Sequence, residues 1–91
     1  MINSEQRELL NMLEKTGVEM KIHCDHIYYG YGTMIVKFTK WFGDKQYCKE
    51  IRLSFYELDV LSFSIEKILL KYLKDFDKEA LQVYKDSRVE N

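Results

Sequence analysis

Hydrophobic positions along the chain change their period twice. Leu9, Leu10 and Leu13 share one face at helical spacing. Asn3 and Ser4 ahead of them are good helix caps, Gln6 stands three residues after Asn3 as in a capping box, and Gly17 closes the segment. This pattern predicts a helix over residues 4–15. From Val18 the period drops to 2: Val18, Met20, Ile22 and Cys24 alternate with Glu19, Lys21, His23 and Asp25, as in a strand with one buried face. The alternation places Cys24 in the core.

A second strand is predicted over Thr33 to Phe42, with Met34, Val36 and Phe38 on one face and Ile35, Lys37, Thr39 and Trp41 on the other. A third covers Gln46 to Phe55, with Ile51, Leu53 and Phe55 opposite Cys48, Glu50, Arg52 and Ser54. Between them, Gly43-Asp44 suits a two-residue hairpin turn. Such a turn fixes the register: Val36 faces Ile51 and Met34 faces Leu53 on the core side, and Lys37 faces Glu50 on the outer side. The same parity turns Cys48 outward, away from Cys24, so no disulfide is expected between the two.

After Ser54 the helical period returns. Ser54-Phe55-Tyr56-Glu57 fits a capping box, Ser62 and Ser64 can cap a long helix after them, and Ile65, Ile68, Leu69, Tyr72, Leu73 and Phe76 form its apolar stripe. Asp75 and Asp77 could open a further helix carrying Ala80, Leu81 and Tyr84, so residues 63–86 read as one helix or two. The predicted fold class is α+β: a single domain, residues 1–91, with an N-terminal helix, a three-stranded antiparallel meander, and one or two C-terminal helices packed on one sheet face.

Tyr28, Tyr29 and Tyr31 stand just ahead of the second strand, with Gly30 and Gly32 among them to permit a bulge, a turn or a close backbone approach. Continuing the alternation backwards from Met34 puts Tyr28 on the core face and Tyr29 and Tyr31 on the outer one.

Size narrows the function. A chain of 91 residues forms one domain that buries about 60 to 65% of its unfolded surface, so modest stability and no deep interdomain cleft are expected. With 46% hydrophobic and 32% charged residues it is globular. No apolar run approaches the ~20 residues that span a bilayer, and the N-terminus lacks a basic segment followed by an apolar core. A cytoplasmic protein without membrane partners is expected.

Chemistry is sparse. His23-Cys24-Asp25-His26 offers zinc-type ligands, but neighbours on a strand face opposite sides and the usual paired spacings are missing, so no metal and no cofactor are expected. Cys24 with His26 makes a poor nucleophile pair, because an apolar face disfavours the thiolate and no third group orients the base. Gly30-Tyr31-Gly32 runs into a strand rather than the helix N-terminus a phosphate cradle requires. Catalysis is not expected.

Charge is uneven along the chain. Residues 26–54 carry 5 basic and 2 acidic groups, whereas residues 1–25 carry 3 and 5 and residues 55–91 carry 6 and 8. Aromatic residues among Lys37, Lys40, Lys45, Lys49 and Arg52 are the parts of a base-stacking platform, which makes nucleic-acid binding the alternative function. The helix-strand-strand-strand-helix order resembles the double-stranded-RNA-binding domain. That family contacts phosphates with lysines at the start of its last helix, where Ser62-Phe63-Ser64-Ile65-Glu66-Lys67 has one lysine and a glutamate here. A net charge of −1 also gives little long-range attraction to phosphate.

Protein binding is the leading expectation. Tyr29, Tyr31, Ile35, Lys37, Trp41 and Arg52 combine the aromatic and arginine content of interface hot spots on one predicted sheet face. The partner would be a host protein or another copy of the chain. The element order is also similar to that of some small phage inhibitors of CRISPR nucleases, which place a three-stranded sheet among helices. This resemblance implies an inhibitor or adaptor and carries over no residue.

Overall fold

The computed structural model describes residues 4–28, 31–54 and 65–89, with the side chains of 25–28, 31, 88 and 89 outside the description. Within these residues the order is α1 (Ser4–Thr16), β1 (Glu19–Tyr28), β2 (Tyr31–Phe42), β3 (Lys45–Ser54) and α2 (Ile65–Val89). The strands form one antiparallel sheet in the order β1-β2-β3. This is the predicted α+β architecture. The caps expected at Asn3, Ser62 and Ser64 and most of the Ser54–Glu57 capping box lie outside the described residues, as do Phe55, Tyr29 and the rings of Tyr28 and Tyr31.

Both punctuating glycines act as their positions require. Gly17 adopts φ +71° and its N–H donates to the Leu13 carbonyl at 2.9 Å, ending α1 in the left-handed conformation that only glycine enters without a Cβ penalty. Thr16 reinforces this end: its hydroxyl donates to the Met12 carbonyl at 2.7 Å and accepts the Val18 N–H at 3.3 Å. Gly43 at φ +67° turns β2 into β3, and the ladder leaving it pairs Phe42 with Lys45, Lys37 with Glu50, Val36 with Ile51 and Met34 with Leu53. The turn and the alternation specify the same register, and the structure has it.

The first hairpin is longer than its sequence pattern suggests. β1 runs on to Tyr28, which pairs with Tyr31, and the register shifts between Asp25 and Tyr28. Between the Asp25–Thr33 and Tyr28–Tyr31 pairs, β1 advances three residues and β2 two, so β1 carries the extra residue. The irregularity expected around Gly30 and Gly32 thus falls on the strand preceding them.

The core fills one side of the sheet. Met34, Val36 and Phe38 of β2 and Leu53 of β3 are buried against Leu69, Leu70, Leu73, Phe76 and Ala80 of α2, with Leu9 of α1 and Val18 completing the cluster. Phe38 and Phe76 stack with centroids 5.4 Å apart, and Tyr47 meets Phe76 at 5.4 Å. At the hairpin end Phe42 lies flat on Tyr84, centroids 4.4 Å apart and planes 6° apart, which ties the last turns of the helix to the sheet. Residues 65–89 therefore form one continuous helix, not two. Its buried stripe also departs from the simple one: Leu70 is buried, while Tyr72 and Leu81 are exposed. Leu70 and Met12 border the same crevice between the helices, so α1 gives α2 a second apolar contact that widens its buried face.

Cys24 corrects the sequence reading. Strand parity holds, since Cys24 pairs with buried Met34, yet its side chain is exposed. Helical cover over β1 thins along the strand: Val18 is buried, Met20 half-buried and Ile22 exposed. A position on the core-facing row is buried only if something lies over it. Cys48 is exposed on the outer row as expected, and both cysteines are free. A thiol reagent should therefore label Cys24 and Cys48 alike in the native protein, as mass spectrometry would record. Labelling of Cys24 only after denaturation would restore the buried assignment.

Candidate functional site

The candidate face is the side of the sheet away from the helices. Register places its residues in cross-strand rows: His23, Ile35 and Arg52; Lys21, Lys37 and Glu50; Glu19, Thr39 and Cys48; and Trp41 beside Gln46. No described helix packs over these rows, since α1 and α2 both join the core cluster on the opposite side.

Trp41 is the largest apolar group on the face and is 50% exposed. Ile35 is half-buried in the row between His23 and Arg52, and Lys37 and Arg52 are exposed. Beside Trp41 along β2, Thr39 is buried and its hydroxyl oxygen lies 3.6 Å from the Cys48 sulfur. Four of the six residues expected to bind a partner, Ile35, Lys37, Trp41 and Arg52, are thereby on one continuous face. Tyr31 opens β2 with its ring outside the description, and Tyr29 lies outside the described residues.

The basic set divides differently from the sequence count. Lys40 and Lys49 sit on the helix side of the sheet. Lys40 forms an ion pair with Asp77 of α2 and lies 5.6 Å from the Phe42 ring centre; Lys49 pairs with Glu79 of α2 at 3.0 Å. The Glu79 hydrogen bond holds the Lys49 ammonium above its ordinary pKa. Lys45 shares their row and borders a small apolar crevice with Phe42, Tyr47 and Tyr84. On the described outer face Lys21, Lys37 and Arg52 remain, countered by Glu19 and Glu50. The result is a mixed surface with an aromatic anchor.

Sequence reasoning missed the roles of Lys40 and Lys49, although the signal was present. Lys40 follows Val36 and Phe38 at spacing 2, and Lys49 precedes Ile51 and Leu53 at the same spacing. It also missed a mainly apolar groove of about 390 Å³ where α1, β1 and the start of α2 meet, lined by Leu9, Leu10, Met20, Ile22, Ile65 and Leu69 together with the hydrogen-bonded pair Gln6 and Glu66. Among the described residues no cluster of three or more His, Cys, Asp or Glu side chains could hold a metal ion. No described helix is long and apolar enough to cross a membrane.

No protein-family model, curated protein or solved structure matches this chain.

Proposed function

We propose that the domain is a non-catalytic interaction module that binds a protein partner through the outer sheet face. The observation carrying this reading is Trp41, half exposed on a face that no described helix covers, with Lys37 two rows and Ile35 and Arg52 three rows further along the same face. Large aromatic and arginine side chains on an open, mixed-charge surface supply the anchors on which protein interfaces concentrate their energy. A more specific role, as an inhibitor or adaptor acting on a host protein such as a defence nuclease, rests on the resemblance in element order alone.

The ion pairs of Lys40 and Lys49 weigh against the nucleic-acid alternative. Five free cations on one face would give a log-log salt slope near −3.5 for single strands, whereas Lys21, Lys37 and Arg52 alone give about −2, further reduced by Glu19 and Glu50.

The test is affinity capture from nuclease-treated host lysate with the wild-type domain and with Arg52→Glu, alongside titration of a labelled oligonucleotide at rising salt. We expect a specific protein to be retained by wild type and lost by the variant, with negligible oligonucleotide binding. Tight oligonucleotide binding with a slope near −3.5 would overturn the proposal in favour of the alternative.

A further inference from the structure

The two edges of the sheet are built differently. An edge strand offers a row of unpaired backbone groups, and proteins commonly protect such edges with inward-pointing charge. The helix-side row of β3 carries Lys45 and Lys49, the second tied to Glu79. The corresponding row on the other edge, Val18 just ahead of β1 and Met20, Ile22 and Cys24 within it, has no charge at all. It also borders the apolar groove of about 390 Å³, where Leu10 is 52% and Ile22 48% exposed. Among the described residues, the edge strand whose helix-side row lacks inward-pointing charge is the one beside exposed apolar surface, and its bulge lies beyond that row, between Asp25 and Tyr28.

The sequence of β1 is complementary to itself in one antiparallel register. With a two-fold axis through Met20, Glu19 of each copy stands opposite Lys21 of the other on the outer face. Extending the strand by one residue at its start, Val18 stands opposite Ile22 on the helix side. Moving the axis to Lys21 sets two lysines together, and moving it to Ile22 sets Lys21 against His23. We propose that a second copy of this chain pairs with β1 in the Met20-centred register, joining two three-stranded sheets into one continuous sheet. Pairing covers Ile22, engages Glu19 and Lys21 at the β1 margin of the outer face, and leaves Trp41 and Ile35 on the free part of that face, so the proposal does not depend on the protein-binding reading.

Charge-swap sedimentation tests it on the full chain. At about 100 µM, a concentration suited to a small interface, wild type should sediment near twice its 11.0 kDa mass. Glu19→Lys and Lys21→Glu, both at exposed positions, should each raise the dimer dissociation constant roughly tenfold or more, with circular dichroism unchanged. Mixed together they should restore the dimer, because one variant then presents two cations where the other presents two anions. Met20→Cys should form an intermolecular disulfide across the axis on mild oxidation. A monomeric wild type, single variants that sediment as wild type, a mixture that stays monomeric, or crosslinking through native Cys24 instead would each overturn the proposal.

Discussion

Replacing Phe76 with Ala should remove about 3–5 kcal/mol of stability, the usual range for deleting a fully buried aromatic ring. Phe76 is 1% exposed and meets both Phe38 of β2 and Tyr47 of β3, each 5.4 Å away between ring centres. Its loss would open a cavity where the helix joins two strands at once. A domain of 91 residues has on the order of 5–14 kcal/mol in total, so the variant should lose at least about a fifth of its stability. Its thermal midpoint should then fall by well over 10 °C, at roughly 4–8 °C per kcal/mol for a chain of this size. Val83, two turns further along the same helix and 49% exposed, supplies the control: Val83→Ala should stay within about ±0.5 kcal/mol of wild type. Calorimetry or thermal circular dichroism distinguishes the two. A Phe76→Ala midpoint within a few degrees of wild type would mean that α2 is not held on the sheet through this ring.

The sheet was the most legible part of the chain, because two independent signals specify it. Alternation determines which side each residue takes, and the Gly43-Asp44 turn determines which residues face one another; Val36–Ile51 and Lys37–Glu50 satisfy both. Helix continuity was less legible. Asp75 and Asp77 are good capping residues, and within the chain alone nothing weighs a cap against an uninterrupted stripe. In the fold, Phe76 and Ala80 bury against the sheet and Tyr84 stacks on Phe42, contacts that continue the helix through the aspartates. Asp77 meanwhile meets Lys40, so its carboxylate serves a tertiary ion pair.

The candidate site was legible in parity and not in exposure. Ile35, Lys37, Trp41 and Arg52 were assigned to the outer face by alternation, which is a local property of strands. Whether a helix lies over a given row is a long-range property, and here the reading failed in both directions. Cys24 is on the core-facing row without cover, while Lys40 and Lys49 are held to α2 by carboxylates more than 29 positions further along the chain. Grouping those lysines by composition gave a five-cation platform; following them by parity would have separated them from the outer face.

Trp41→Ala should have the largest effect on function and among the smallest on stability. A tryptophan at the centre of a protein interface commonly contributes 2 kcal/mol or more to binding, so its loss should weaken partner capture by about 30-fold or more. Trp41 is half exposed and contributes nothing to the buried cluster, so truncation should leave the folded state within about ±0.5 kcal/mol of wild type. Reading both quantities on one protein preparation separates a binding surface from a structural ring. The most direct measurement is therefore partner capture by Trp41→Ala set beside its thermal midpoint, with lost capture and an unchanged midpoint as the expected result. Full capture by the variant, or a midpoint that collapses with the binding, would contradict the assignment of the outer sheet face as the interaction surface.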